Sequence, residues 1–579
     1  MTVRRKRLTA TRPFGRGSQE LTRPNDDDRV LCFPNIQMST LTASLVPTAS
    51  SDSASLVPPR LGVSYLPHQE VGIRWMLARE AAGAAVCRGG ILADDMGLGK
   101  TFQTIGLLLN SAEAEWRTLI VCPPALVAGW KEELKACGFK VSELNQGTDT
   151  WMPVAAGERG VWLTTYPKLV AIAKCLVDCA GDRAAGHMFH RIVLDEGHSI
   201  RNGVGTARGK AADVIAGAGS VVARWILSAT PVQNGPADWR NLCRWLRTGA
   251  DEAVVGDKAP VDVAGTVLLR RTMAELRGVV AALPAPPRFI CRDLHMVRGS
   301  AEDRLFRAMC DQLDDIVDDS GVSAFVKLEL YLRIQQFLVH PQIYIQAMRD
   351  KLRGAYPRPD WTGTATKWDA FARDLAEGVA AKEGTIVFCQ FRAEMDRVVQ
   401  LADRMEAAVW CVRGGMGTDA VGHAVRAARD AVAAGERGVV VVVQIVAGGA
   451  GLNLQFCRRV LFLSQHWNPA VVHQAVGRAV RIGQRGVVDV VMYRVVDDVM
   501  DNLDRLMVDR HLAKIEVARD VCSSLYEGWD PVPVVAASDE RSEDASDASD
   551  ASEEAATEDR PVLLSAAAAA DSAEEEDPR

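Results

Sequence analysis

No Cys-x-x-Cys pair occurs in the 579 residues, and of thirteen cysteines only Cys175 and Cys179 lie close together. This argues against a zinc finger or a disulfide framework and for a reducing compartment. No apolar run approaches 18 residues, so a membrane-spanning helix is not expected. The basic start Arg4-Arg5-Lys6-Arg7 lacks the apolar segment of a secretory signal after it, which points to a soluble intracellular protein. Residues 1–60 have little periodicity and much Arg, Ser, Thr and Pro, and are expected to be a disordered basic arm. Arg4 to Arg7 read equally as an import signal, a phosphate-binding arm or a solvated terminus.

Charge is modest overall, net −7, but uneven. Val535 to Arg579 holds fifteen Asp/Glu against three Arg, a net −12, which leaves the rest of the chain at +5. The globular part is therefore mildly basic, as suits a polyanionic partner. The tail repeats Asp-Ala-Ser from Asp544 to Ser552 and includes Glu574-Glu575-Glu576-Asp577, a composition that cannot bury enough surface to fold.

What is present is organised around Ile91-Leu92-Ala93-Asp94-Asp95-Met96-Gly97-Leu98-Gly99-Lys100-Thr101, a short apolar strand, a glycine-containing loop and a helix start. Gly97 and Gly99 let the backbone approach an anion, Lys100 brings charge to outer phosphates, and the Thr101 hydroxyl can ligate Mg²⁺. The helix from Phe102 to about Asn110 adds its positive end. Asp94 departs from the pattern G-x-x-x-x-G-K-[ST], which has glycine there.

Apolar strand runs then alternate with amphipathic helices: Thr118 to Cys122, Val161 to Thr165, Arg191 to Leu194 and Trp225 to Leu227. This is an α/β pattern, a parallel sheet with helices on both faces, where ligands sit beyond the carboxyl ends of strands. Asp195-Glu196-Gly197-His198 follows one strand end, so Asp195 is placed to hold a metal and Glu196 to orient an attacking water. Ser228-Ala229-Thr230-Pro231 follows the next strand, as hydroxyls that could relay motion or as a plain turn. Residues from about 240 to 365 read as mainly helical, with Trp239, Leu242, Trp245 and Leu246 spaced for core packing. A second alternating block has strands at Thr385 to Cys389, Val439 to Val446, Val460 to Leu463 and Val488 to Val495. Before its last strand, Arg478 and Arg481 are three apart, on one face if that segment is helical. Together they suit a triphosphate on a facing domain, with an arginine finger worth about 10³- to 10⁵-fold in rate. Taken singly, such arginines are more often surface ion-pair partners.

With Pro67-His68-Gln69, Cys122-Pro123-Pro124, Leu269-Arg270-Arg271-Thr272, Leu332-Arg333 to His340-Pro341, Trp467-Asn468-Pro469 and Gln474 to Gln484 in the same order, residues 62–510 resemble a Swi/Snf-type member of the superfamily 2 helicase-like ATPases. In that family aspartate at position 94 is usual. The resemblance implies two RecA-like parallel-sheet lobes with helical protrusions between them, flanked by disordered termini. The expected boundaries are a basic arm at 1–60, the ATP-binding lobe at 61–280, a helical protrusion and linker at 281–365, the second lobe at 366–525 and an acidic tail at 526–579.

The implied cofactors are ATP and Mg²⁺. Gln69 would read adenine, the loop Asp94, Met96, Gly97, Leu98, Gly99, Lys100 and Thr101 would bind the nucleotide, and Thr101 and Asp195 would serve the metal. Gln474, Arg478 and Arg481 would complete the site from the second lobe, with Lys100, Asp195, Glu196, Arg478 and Arg481 as the catalytic set. Pro123, Pro124, Thr164, Thr165, Gly449, Gly451, Asn453 and Trp467 would line the nucleic-acid groove. The implied activity is ATP-driven movement along duplex DNA without sequence preference, in chromatin remodelling, DNA repair or transcription. Strand separation on DNA or RNA, or a non-hydrolysing scaffold, are the other readings. Histones, nucleosomes and repair proteins are candidate partners, no membrane is expected, and a monomer is the expected state. The compartment implied is nuclear, or a viral replication site or nucleoid. Gly197 and Ser228-Ala229-Thr230 depart from the commoner family residues, Gly197 resembling a repair-associated branch that carries an inserted RING. No RING-spaced cysteines exist here, nor any bromodomain-like or chromodomain-like appendage. The acidic tail is assigned to solvation, a histone contact or competition with DNA.

Overall fold

The computed structural model describes residues 55–60, 62–82, 88–112, 116–144, 160–178, 189–217, 221–247, 267–318, 321–448, 452–496 and 514–515. The expected basic arm, up to residue 54, and the acidic tail lie outside the described residues. No described helix is long and apolar enough to cross a membrane.

The first four expected strands appear as β2 (Thr118–Cys122), β4 (Gly160–Thr165), β5 (Arg191–Asp195) and β6 (Ala223–Leu227), joined by β1 (Gly89–Leu92), β3 (Lys140–Glu143) and β7 (Leu268–Leu269). All pair in parallel, in the order β3-β4-β2-β5-β6-β1-β7. Strand side chains alternate between faces. On one face Ile120, Cys122, Val193, Trp225 and Leu227 meet helices α1 (Pro67–Ala81), α2 (Lys100–Asn110) and α3 (Val127–Ala136) through Met76, Ile105, Trp130 and Leu134. The opposite face sets Leu119, Val121, Ile192, Leu194 and Ile226 against α4 (Tyr166–Asp178), α5 (Ala207–Ala216) and α6 (Pro236–Leu246), where Trp239, Leu242, Trp245 and Leu246 are buried as expected. Burial on both faces is why these strands read as continuous apolar runs.

A connector with the short helix α7 (Met273–Leu276) leads to the second sheet. That sheet contains β8 (Arg288–Leu294), β9 (Gly384–Cys389), β10 (Ala408–Val412), β11 (Val439–Gln444), β12 (Arg459–Phe462) and β13 (Asp489–Val495), parallel throughout in the order β10-β11-β9-β12-β13-β8. Two expectations need correction. The segment from 281 is not helical from its start, because β8 completes the second sheet as its edge strand against β13. Its half-exposed, charge-rich sequence hides it, as edge strands do. The strand expected to reach Val446 ends at Gln444, and Ile445–Gly448 forms a helical turn.

Between β8 and β9, helices α8 (Ala301–Asp318), α9 (Ala324–Val339) and α10 (Pro341–Lys351) pack on their own core of Phe306, Ile334, Phe337 and Tyr344. Helices α11 (Thr366–Ala380) and α12 (Arg392–Arg404) cover one face of the second sheet. Both α13 (Thr418–Ala434) and α15 (Pro469–Val476) lie on the other, the side whose apolar cluster is continuous with the first lobe; α14 is the turn Ile445–Gly448.

One buried ion pair ties α1 to the first sheet. The Arg191 guanidinium on β5 donates to Glu80 at 2.5 and 2.6 Å, and the indole of Trp225 donates to the same carboxylate at 2.8 Å. Glu80→Ala strands a buried guanidinium and is expected to cost about 3–5 kcal/mol. The paired change Glu80→Leu with Arg191→Leu should cost less, and a urea-unfolding loss below about 1 kcal/mol for Glu80→Ala, the scale of an exposed pair, would contradict this.

Candidate active site

Every expected catalytic side chain in the first lobe lies at or beyond the carboxyl end of a strand. After β1 the chain turns through Gly97 (φ 86°) and Gly99 (φ 81°), left-handed conformations that glycine adopts without strain. A Cβ on Gly97 would lie 2.7 Å from the Arg481 Cβ, and one on Gly99 2.5 Å from the Gln69 Nε2. The loop is therefore closely covered, from the second lobe on one side and from α1 on the other. Lys100 opens α2 and arches its amine back over the loop, donating to the Asp94 carbonyl at 2.8 Å and the Asp95 carbonyl at 3.4 Å. Burial lowers its pKa, and Glu196, Asp94, Asp195 and Asp95 oppose that shift.

The departure at Asp94 has a structural explanation. Its buried carboxylate accepts from Arg271 Nε at 2.9 Å, Arg271 Nη2 at 2.5 Å and Gln103 Nε2 at 2.9 Å. Burial pushes this carboxyl up, but Arg271 and Gln103 outweigh it and hold it below the usual range. Asp94 meets the loop through its main chain, and its side chain is occupied by the connector. Asp95 repeats the arrangement, accepting from Arg270 at 2.8 Å and from the Met273 amide at 2.9 Å. Arg270 also donates to the carbonyls of Ala93 and Ala229. Gln69 is buried with its amide engaged by the Leu66 N–H at 3.0 Å and the Leu98 carbonyl at 3.3 Å, so in this structure it packs on the loop. Of the other loop residues, Met96 and Leu98 are buried and Thr101 is half-buried at the start of α2.

Asp195 ends β5 and is buried. Its Oδ2 accepts the Trp130 indole N–H at 2.7 Å, its Oδ1 the Glu196 amide at 3.0 Å, and its carbonyl the Tyr166 hydroxyl at 2.9 Å. Burial and the neighbouring Glu196 push the carboxyl up to about 6. Glu196 sits at φ 51°, a left-handed conformation costly for a residue with a Cβ, of the kind that gathers at functional sites. Burial raises its carboxyl too, but His198, 3.3 Å away, with Lys100 and Arg478, holds it below the usual range. From His198 a polar chain runs to Ser228 Oγ (3.1 Å), which accepts the Thr230 amide at 3.2 Å.

That chain crosses to the second lobe. Gln474 donates to the Thr230 hydroxyl at 3.5 Å, and Asn468 donates to Gln233 at 3.2 Å. The condition for Arg478 and Arg481 to share a helix face is not met, because α15 ends at Val476, with Arg478 in the turn after it and Arg481 in the bend beyond. The turn seats them by close packing: a Cβ on Gly477 would meet the Met96 Cβ at 2.9 Å. Burial lowers the Arg478 pKa to about 10, against the opposing pull of Glu196 and Asp195. Among the described residues no group of three or more His, Cys, Asp or Glu could hold a metal, so a metal here would rest on few side chains.

The expected groove residues are divided. Pro124 and Asn453 are exposed and Pro123 half-buried, while Gly449 and Gly451 lie outside the described residues. Trp467 is 49% exposed, stacked on His466 at 5.4 Å and covered by the Lys514 amine 4.0 Å from its ring centroid. Thr164 and Thr165 are both buried in this structure, at the end of a strand inside the sheet, and Thr164 Oγ1 donates to the Leu144 carbonyl at 3.2 Å. Sequence reasoning missed Trp130, Tyr166 and Asn468 as contributors to the site. Tyr166 and Asn468 lie beside or in quoted stretches and Trp130 six residues beyond Pro124, but only the fold brings each to its partner.

A model described as the SNF2-related domain matches residues 68–251, and one described as the helicase conserved C-terminal domain matches 368–483. The chain is 28% identical over 506 residues to a probable global transactivator of Orgyia pseudotsugata multicapsid polyhedrosis virus, covering 82% of this chain and 94% of that one. It is 23% identical to the putative ATP-dependent helicase/translocase YwqA of Bacillus subtilis, over 75% of this chain and 46% of that one. A Sulfolobus solfataricus SWI2/SNF2 ATPase core in complex with dsDNA aligns at 21% identity over 76% of this chain and 90% of that one, with a TM-score of 0.35.

Gly97→Ala forces a Cβ into the Arg481 contact and a left-handed φ costing about 1–2 kcal/mol. Nucleotide affinity, read by titration with a fluorescent analogue, is expected to fall while the fold persists in circular dichroism; wild-type affinity would mean that the lobes do not close on this loop.

Proposed function

Because this chain belongs to the SNF2-type family of ATP-dependent helicase-like enzymes, we propose that it hydrolyses Mg-ATP between its two RecA-like lobes and uses the cycle to move along duplex DNA. The observation that carries this reading is the close packing of the Gly477–Arg481 turn of one lobe on the phosphate loop of the other, with a Cβ on Gly97 falling 2.7 Å from the Arg481 Cβ, which brings Arg478 near enough to Glu196 to help hold its carboxyl down alongside Lys100.

The residues present fit the nucleotide. Gly97 and Gly99 form a cradle that a Cβ would fill, above the N-terminus of an 11-residue helix, where main-chain N–H groups favour an anion. A hard divalent cation that keeps waters and phosphate oxygens in its shell needs few protein ligands, which suits Thr101 and Asp195. When bound, ATP supplies the phosphoanhydride and Mg²⁺ neutralises its oxygens. Lys100 adds a fixed positive charge beside them. Glu196, held ionised, orients a water and takes its proton. Arg478 and Arg481 bring charge from the second lobe when the cleft is closed, so hydrolysis is tied to lobe position. The polar chain from Glu196 through His198, Ser228 and Thr230 to Gln474 provides a route for that tie.

For the nucleic acid, the exposure of Pro124, Asn453 and Trp467 and the mildly basic globular sequence suit phosphate-backbone contacts, which give affinity without sequence preference. A role in remodelling protein–DNA contacts, in chromatin, repair or transcription, follows from such a motor, with a nuclear or viral replication setting.

Lys100→Ala and Glu196→Gln are each expected to lower ATP turnover by about 10²- to 10⁴-fold while leaving duplex binding largely unchanged, since both side chains are assigned to the nucleotide and not to the groove. Turnover measured alone and with duplex DNA, single-stranded DNA and RNA tests the reading; stimulation by RNA alone, or unchanged turnover in either variant, would overturn it. Duplex affinity should fall with a log–log salt slope of about −0.9 per neutralised phosphate. Strong preference for one duplex sequence in competition would contradict backbone binding.

A further inference from the structure

Trp130 is a core residue by its packing, buried on α3 among Ile120, Cys122 and Val193. Packing does not explain where its indole N–H goes. A buried indole needs an acceptor, and any main-chain carbonyl would serve. Instead it donates at 2.7 Å to Oδ2 of Asp195, the carboxylate assigned to the metal. A carboxylate offers about four lone-pair directions. The indole takes one on Oδ2 and the Glu196 amide one on Oδ1, at 3.0 Å. Main-chain freedom is removed as well, because Tyr166 on α4 holds the Asp195 carbonyl at 2.9 Å. Asp195 is thus held from two helices, its carboxylate by α3 and its main chain by α4, with Lys100 and Arg478 as the nearby cations.

We propose that Trp130 is a positioning residue for metal binding: its indole N–H sets the rotation of the Asp195 carboxylate so that one fixed edge is presented to the Mg²⁺ of a bound nucleotide. This rests on the function proposed above. It is a hydrogen bond to a ligand rather than to the metal, a kind of contact whose loss costs metal affinity about 10- to 100-fold. Without it the carboxylate keeps only the Glu196 amide on Oδ1, and metal binding has to fix part of that torsion itself.

The test uses the full chain and Trp130→Phe, which keeps an aromatic ring in the core and removes the donor. N-methylanthraniloyl-ATP is titrated with Mg²⁺ and again in EDTA, thermal midpoints are recorded, and the Mg²⁺ dependence of turnover is measured. The expected result is unchanged affinity in EDTA, affinity in Mg²⁺ weakened about 10- to 100-fold, and a half-saturating Mg²⁺ concentration raised by a similar factor. A purely structural Trp130 would instead lower the thermal midpoint and weaken binding equally in both buffers, and that outcome overturns the proposal, as does an unchanged Mg²⁺ dependence. If Trp130→Phe does not fold, benzothienylalanine placed at 130 keeps the indole shape with sulfur for N–H, and the same outcomes apply. A wild-type chain whose nucleotide binding ignores Mg²⁺ would sink the proposed function itself; normal wild-type behaviour with an indifferent variant sinks only the role of Trp130.

Discussion

Two acid–base contacts, the first buried and the second partly so, hold the site in register: Asp94 with Arg271 and Asp95 with Arg270, at 2.5 and 2.8 Å. They fasten the phosphate loop to the connector that leads into the second sheet. Removing charges from water costs several kcal/mol per ion, so such pairs are poor sources of net stability. Their geometric consequence is larger. Arg270 also reaches the carbonyls of Ala93 and Ala229, so one guanidinium spans the loop after β1 and the segment after β6. The connector cannot shift without disturbing both.

From that fixed loop the two lobes meet through contacts too close to be incidental. The main chain at Arg481 and Gly477 lies against Gly97 and Met96, where no further atom fits. Gln474 and Asn468 reach Thr230 and Gln233 across the same boundary. A polar path therefore connects the strained Glu196 with the second lobe. Strain at that residue is tolerated because Asp195 before it and His198 after it are both pinned.

Much of this was legible in the chain. The parallel sheets follow from apolar runs separated by helical spacing, and the loop around Gly97 to Thr101 from glycines beside a lysine. Other features were not. The edge strand Arg288–Leu294 carries too much charge to read as buried sheet, and its pairing with Asp489–Val495 spans about 200 residues. Residues 474 to 484 have a helical look that breaks at Gly477, because the following turn packs on the phosphate loop. That Thr164 and Thr165 are buried, with Thr164 bonded to the Leu144 carbonyl, follows from where their strand lies in the sheet.

Local sequence alone determined the phosphate loop, the acidic strand end at Asp195-Glu196 and the alternation that makes an α/β fold, because each depends on neighbours within one turn or one strand. Tertiary structure alone decided that Asp94 answers Arg271, that Trp130 holds Asp195 and that Arg478 stands with Glu196. Such partners are 65 to 282 positions apart, and which buried donor meets which acceptor is set by how sheet, helices and connector close-pack, information no short stretch of chain contains.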